Sequence, residues 1–249
     1  VSLLELSGVT VRFGGLEANK ELDITINEGE IVGLIGPNGA GKTTVFNCIT
    51  GLVRPVAGTI RFMGITITGM SPCSVCRLGI ARTFQIVEPY RGLTVQENVA
   101  VGAFLHTRSR RQAFSEAEEA LSLVGLSEKK NQDVSSLTIA QLKKLEIARA
   151  LATKPRLLLL DEVMAGLTPT ESKEAVAMVR RLHSSGITLF VIEHVMDVIM
   201  PISHRVVVLD AGEKIAEGKP CDVINDNRVI KAYLGEKRHA NSRKASSLI

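Results

Sequence analysis

Hydrophobic residues follow two different periods along this chain. In residues 3–13, 22–26 and 59–62 they alternate with polar ones in short segments, which predicts strands of an antiparallel β region. Residues 30–35, 156–160 and 187–192 are instead nearly continuous apolar runs of strand length, the pattern of buried strands. Helical readings fill the intervals. Residues 42–50 read as a helix closed by Gly51, 94–152 as a mostly helical, charged stretch, 169–184 as a helix ended by Gly186, and 195–200 as a short helix. Thr168 and Glu171 form a capping box at the start of the third of these, with Pro169 at the first helical position, where no N–H is needed. Strands alternating with helices predict an α/β core on a parallel sheet, with an antiparallel β region early in the chain and a helical insertion in the middle.

Composition narrows the class. At 249 residues the chain can bury a sizeable core. Its longest apolar runs, such as 157–160 and 206–209, fall far short of the ~18 residues that suggest a membrane span. The N-terminus lacks a cationic segment followed by an apolar one, so the expectation is a cytosolic protein that reaches a membrane only through partners. The net charge of +4 resides in residues 237–249, where Lys237, Arg238, Arg243 and Lys244 stand without an acid; the remainder is formally neutral. A neutral body with no Trp and two Tyr argues against a nucleic-acid footprint, which needs a basic face and stacking surfaces. The Ser-, Ala- and Lys-rich tail reads as a solvated, disordered end. Cys73 and Cys76 are spaced C-x-x-C without a second ligand pair, so they, Cys48 and Cys221 are expected to be ordinary reduced thiols.

Chemistry enters at Gly36-Pro37-Asn38-Gly39-Ala40-Gly41-Lys42-Thr43-Thr44, which matches G-x-x-x-x-G-K-[ST]. The segment follows a predicted buried strand and opens a predicted helix, where loop N–H groups and the helix N-terminus converge on phosphates. Lys42 would neutralise the β and γ oxygens and Thr43 would offer a hydroxyl to Mg²⁺, so the expected ligand is a nucleoside triphosphate. A phosphate loop alone serves kinases, GTPases and transport ATPases alike. Asp161 and Glu162 decide between them: they end an apolar strand, which puts two carboxylates beside the loop at the C-terminal sheet edge. There Asp161 would hold Mg²⁺ through water, and Glu162 would act as general base on the attacking water.

With these two motifs the chain resembles the ATP-binding-cassette ATPases, the nucleotide-binding subunits of ABC transporters, over residues 3–236. The resemblance implies a P-loop NTPase fold, with a RecA-like parallel-sheet core, an antiparallel β subdomain and an inserted helical subdomain. The division expected here is 1–88 and 147–236 for the core with its β region, 89–146 for the helical subdomain and 237–249 for the tail. An ATPase using ATP and Mg²⁺ is implied, pairing with a second cassette as a homodimer or heterodimer and driven against transmembrane permease subunits. Gln85, in Ala81-Arg82-Thr83-Phe84-Gln85, occupies the place of the family's Q-loop glutamine, a Mg²⁺ ligand and sensor of the membrane partner. His194 occupies the place of the switch histidine, which would contact the γ-phosphate and hold Glu162 and the water. Phe13 stands where the family stacks an aromatic on adenine, usually a tyrosine. Residues 87–97, with Pro89-Tyr90-Arg91-Gly92, are expected to line the groove that receives the permeases.

The sequence departs from the family in three places. Leu137-Thr138-Ile139-Ala140-Gln141 replaces L-S-G-G-Q, the segment that grips the γ-phosphate bound to the opposite subunit. Thr138 keeps a hydroxyl, whereas Ile139 and Ala140 add bulk where close backbone approach is needed, so the trans contact of Thr138, Ile139, Ala140 and Gln141 is expected to grip more weakly. The D-loop S-A-L-D reads Ala165-Gly166-Leu167-Thr168, and Val163 takes the place of a frequent Pro. Finer resemblance lies in Phe13-Gly14-Gly15-Leu16, Ile80-Ala81-Arg82-Thr83-Phe84-Gln85 and Ala232-Tyr233-Leu234-Gly235-Glu236. These are similar to the ATPases of bacterial branched-chain amino acid importers, peripheral on the inner face of the cell membrane and served indirectly by a periplasmic solute-binding protein. The alternatives are an ATPase of the lipopolysaccharide-export type, or a soluble ABC ATPase acting on nucleic acid or ribosomes. The soluble type would carry a coiled-coil insertion, a tandem cassette or zinc modules, none of which is read in these residues.

Overall fold

The computed structural model describes residues 1–84, 87–164, 166 and 168–234. Gln85, Ala165, Leu167 and the tail from 237 onward therefore lie outside the described residues. The strands are β1 (Ser2–Phe13), β2 (Leu16–Asn27), β3 (Ile31–Ile35), β4 (Ala57–Phe62), β5 (Ile65–Thr66), β6 (Ile80–Arg82), β7 (Leu157–Asp161), β8 (Thr188–Ile192), β9 (Arg205–Asp210) and β10 (Glu213–Gly218). They form an antiparallel sheet ordered β2-β1-β4-β5 and a six-stranded sheet ordered β10-β9-β3-β8-β7-β6. In the larger sheet every neighbouring pair is parallel except β9 and β10.

The continuous apolar runs are explained by cores on both faces of that sheet. Successive residues of a strand point to opposite sides. Leu158, Leu160, Leu189 and Val191 enter one core, and Leu157, Leu159, Phe190 and Ile192 enter the other. The first core is completed by α3 (Val95–Ala103), α4 (Arg110–Val124), α5 (Ile139–Leu151), α6 (Pro169–Ser184) and α7 (Met196–Ile202). The second lies against the antiparallel sheet and the helices α1 (Lys42–Ile49) and α2 (Pro72–Leu78), where Leu4, Ile24, Ile60, Phe62, Phe46, Ile49 and Val75 are buried. On α4 the buried set Ala113, Glu116, Ala117, Ala120, Leu121 and Val124 follows helical spacing, so a narrow alanine stripe packs inward, and the one acid within it, Glu116, is paired with Lys154 at 2.6 Å.

Several elements differ from the sequence reading. β2 begins at Leu16 rather than 22, because Gly14 and Gly15 close a tight hairpin that pairs Phe13 with Leu16. The hairpin β9–β10 extends the core sheet, and the stretch 94–152 resolves into three helices with 3₁₀ turns at Ser127–Lys129 and Val134–Ser136. The expected boundary between residues 146 and 147 falls inside α5, one uninterrupted helix. Register then sets the site: Leu34 pairs with Ile192 and Ile192 with Asp161, so the loops leaving β3, β7 and β8 start at one level of the sheet.

Candidate nucleotide site

The phosphate loop spans from β3 to α1, and its glycines answer to neighbours as much as to a ligand. A Cβ on Gly36 would lie 2.1 Å from the Leu209 carbonyl oxygen of β9, and one on Gly41 would lie 2.3 Å from the Ala18 carbonyl oxygen of β2. Gly41 also adopts φ 96° as the N-cap of α1 and offers no side-chain cap, leaving first-turn N–H groups for an anion. Lys42 is only 5% exposed, and its Nζ donates to the carbonyls of Gly36 at 2.8 Å and Pro37 at 2.9 Å. The loop is thus braced by the cation that would meet the phosphates.

Residues 38–44 of the loop and helix start line a cleft of about 1180 Å³, together with Phe13, Glu162 and His194. Phe13 sits at the hairpin end, 50% exposed, outside the core and on the cleft wall. Glu162 follows β7 with φ +50°, a left-handed backbone that costs a non-glycine residue roughly 1–3 kcal/mol. Its N–H donates to the Ile192 carbonyl at 3.0 Å, and its Oε1 stands 2.6 Å from His194 Nε2. An ionised carboxylate only accepts, so in that state of Glu162 the imidazole donates from Nε2.

Asp161 is fully buried. Burial pushes its carboxyl up, and the Arg82 guanidinium beside it pulls it back down. Arg82 donates to Asp161 Oδ2 at 2.7 Å, while Oδ1 is buried with no hydrogen-bond partner among the described residues. Asp161 lines a second groove of about 860 Å³, and Thr43 lines both this groove and the first cleft, so the two meet at Thr43. A threonine hydroxyl and an unpartnered carboxylate oxygen are hard oxygen donors, which fit Mg²⁺.

The structure does not bring Thr138, Ile139, Ala140 and Gln141 to this cleft. Thr138 caps α5 in a box with Gln141, whose side chain accepts from the Thr138 N–H at 3.0 Å. Ile139 is 77% exposed, and Thr138, Ala140 and Gln141 line a separate pocket of about 220 Å³ beside Val163 and Met164. Gln85 lies outside the described residues.

Sequence reasoning missed Glu193, which is fully buried and accepts the Met164 N–H at 2.8 Å. With the Glu162–His194 contact it cross-braces the loops after β7 and β8. Its signal was an acid directly after an apolar strand. Burial pushes its carboxyl from the ordinary 4.5 up to about 7. The folded protein therefore keeps a proton that the unfolded chain has released, a contribution present below 4.5 and lost as pH rises through about 7. In Glu193→Gln the amide oxygen still accepts from Met164 but binds no proton. The variant should gain stability relative to the parent by up to about 3 kcal/mol between pH 4.5 and 7, and no further above it. Unfolding midpoints of both proteins across that range check this; parallel curves would contradict it.

A glycine-rich loop opening a helix, a buried aspartate and a glutamate–histidine pair, all at the C-terminal edge of a parallel sheet, define a P-loop nucleoside triphosphatase. Residues 19–165 match the family described as ABC transporter, and residues 213–239 match the one described as Branched-chain amino acid ATP-binding cassette transporter. The chain belongs to the ABC transporter family, whose ATP-binding proteins hydrolyse ATP to power transport. It is 41% identical to the high-affinity branched-chain amino acid transport ATP-binding protein BraF of Pseudomonas aeruginosa, over 94% of this chain and 98% of that protein. Among solved structures it is similar to the ADP conformation of MJ1267, an ATP-binding cassette of an ABC transporter. That match has a TM-score of 0.86 and 30% identity, covering 95% of this chain and 100% of the other. The dimeric post-hydrolysis state of the cassette MJ0796 bound to ADP and Pi matches with a TM-score of 0.79 and 27% identity, covering 88% of this chain and 99% of that one.

Proposed function

We propose that this chain is the ATP-hydrolysing motor of an importer for branched-chain amino acids. The observation that carries the motor reading is the 2.6 Å contact between Glu162 and His194 at the cleft that holds the phosphate loop. Lys42, Thr43, Thr44 and the N–H groups of Gly39–Gly41 hold the phosphates, and Phe13 covers the base. Mg²⁺, when bound, neutralises charge on the β and γ oxygens, and Thr43, Asp161 and Gln85 are its protein-side partners. Glu162 takes the proton of the water that attacks the γ-phosphorus. His194 keeps the Glu162 carboxylate turned toward that water through its Nε2–H.

A second cassette completes the site in trans, and Thr138 to Gln141 serve the nucleotide of that partner. The permeases dock in the groove where the apolar side chains of Leu52, Phe84, Tyr90 and Val101 are exposed. There Arg149 stacks over Tyr90 at 4.5 Å and donates to the Glu88 carbonyl at 2.9 Å, so one wall is preformed. Among the described residues no helix is long and apolar enough to cross a membrane, and the proposed place of the chain is peripheral, on the inner face of the bacterial membrane. The cargo reading rests on the match of residues 213–239 and on what BraF is named for.

Capture of the full chain from solubilised bacterial membranes tests the proposal. Two permease subunits and a periplasmic binding protein specific for leucine, isoleucine or valine are expected. Recovery of ribosomes, DNA or lipopolysaccharide-export components instead would overturn it.

A further inference from the structure

Asn19 breaks the pattern of its strand. Between the pairs Val9–Leu22 and Val11–Asn19, β2 carries one extra residue against β1, and Glu21 adopts φ +42° there. The bulge resets the alternation, so Asn19 is turned inward as Leu22, Ile24 and Ile26 are, and is fully buried. An amide in such a place destabilises the fold unless its donor and its acceptor both find partners. Only the donor does. Nδ2 donates to the Gly41 carbonyl at 3.3 Å, whereas Oδ1 is buried with no hydrogen-bond partner among the described residues. A half-satisfied polar side chain in an apolar row marks a demand other than packing.

That demand lies in the phosphate loop. The Gly41 carbonyl already accepts the Val45 N–H at 3.1 Å, the first bond of α1, and Asn19 is a second donor to the same oxygen. A peptide bond is planar and trans, so a carbonyl held on one side sets the direction of the N–H on the other. Here that N–H is the one of Lys42, in the first turn of α1, where N–H groups point out of the helix end toward the cleft. The preceding peptide is held in the same way. The Ala40 carbonyl accepts the Gly212 N–H at 3.2 Å, and the Gly212 carbonyl, in the turn between β9 and β10, accepts the Lys20 N–H of β2 at 2.8 Å. Loop and strand approach so closely that a Cβ on Gly41 would lie 2.4 Å from Asn19 Nδ2.

We infer that Asn19 is a positioning residue for the phosphate loop, its amide holding the Gly41–Lys42 peptide so that the Lys42 N–H meets a phosphate oxygen of the bound nucleotide. Asn19 stands behind the loop and, being fully buried, touches no ligand itself. Donors fixed in advance bind a phosphate without the entropy loss of ordering the loop. The inference rests on the nucleotide site proposed above.

Asn19→Leu is similar in shape and removes the unpartnered oxygen together with the donor, so its melting midpoint should equal or exceed that of the parent. Its affinity for ATP with Mg²⁺ should nevertheless fall about fivefold, the worth of one hydrogen bond. Inorganic tripolyphosphate, competing against a fluorescent ATP analogue, should lose the same factor, because the contact serves the phosphates alone. The KM for ATP should rise about fivefold while turnover at saturation stays within about twofold of the parent. Loss of folded protein would do the reverse, lowering turnover and leaving KM. Asn19→Ala should bind ATP as weakly as Asn19→Leu even though its cavity lowers the melting midpoint. Parental ATP affinity in either folded variant would overturn the inference. Lys42→Ala in the same titration separates this from the site itself: unimpaired binding there would remove the phosphate-loop reading and the inference with it, whereas impaired binding there beside parental affinity in the Asn19 variants would remove Asn19 alone.

Discussion

Replacing Lys42 with alanine is expected to lower affinity for ATP by roughly 100-fold, the scale set by removing one partner of a buried charged contact. Two losses combine. The positive charge that would meet the β and γ oxygens disappears, and so do the two hydrogen bonds that tie Nζ to the carbonyls of Gly36 and Pro37. Those carbonyls belong to the loop itself, so the variant should also lose pre-organisation of the phosphate cradle. Arginine at the same place should not restore binding, because a compact ammonium in a 5% exposed position has no room for a planar fork. Titration with a fluorescent ATP analogue checks both statements. Affinity within about twofold of the parent in Lys42→Ala would contradict the assignment of this loop to the phosphates.

The second large effect concerns chemistry rather than binding. Glu162→Gln keeps the shape and the contact with His194 but cannot take a proton, so turnover should fall by about 10²–10⁴-fold with ATP affinity almost unchanged. The left-handed backbone of Glu162 supports a specific demand on this residue, since φ +50° is an unfavourable conformation for a side chain of its size. Removal of His194 should act through the same carboxylate. The double variant Glu162→Gln with His194→Ala should therefore be scarcely slower than Glu162→Gln alone, because residues that act as a unit do not add. Additive losses would separate the two residues and remove the pair as a unit.

Much of this site was legible in the sequence for a physical reason. A phosphate loop, a strand ending in two acids and a histidine after another strand are local patterns, and the parallel register brings their ends to one level. The roles of Gly36 and Gly41 were not legible, because each depends on a neighbouring strand, β9 or β2, that is distant in sequence. Arg82 and Glu193 escaped for a similar reason. In the sequence Arg82 only helped to mark a family resemblance, and its grip on Asp161 exists only once β6 and β7 lie side by side. Glu193 stood next to the more conspicuous His194, and its partner is a backbone N–H that no residue pattern announces. The hairpin β9–β10 was missed because its apolar run at 206–209 is short and its return strand is largely polar.

Reconstitution tests the central claim most directly. Vesicles containing the permeases captured with this chain, with ATP and Mg²⁺ supplied on its side and the binding protein on the other, should take up radiolabelled leucine only with the parent protein. With Glu162→Gln, ATP should bind while turnover and uptake both fall by about 10²–10⁴-fold. Uptake that continues with Glu162→Gln, or steady ATP turnover by the parent with no uptake of any branched-chain amino acid, would contradict the account.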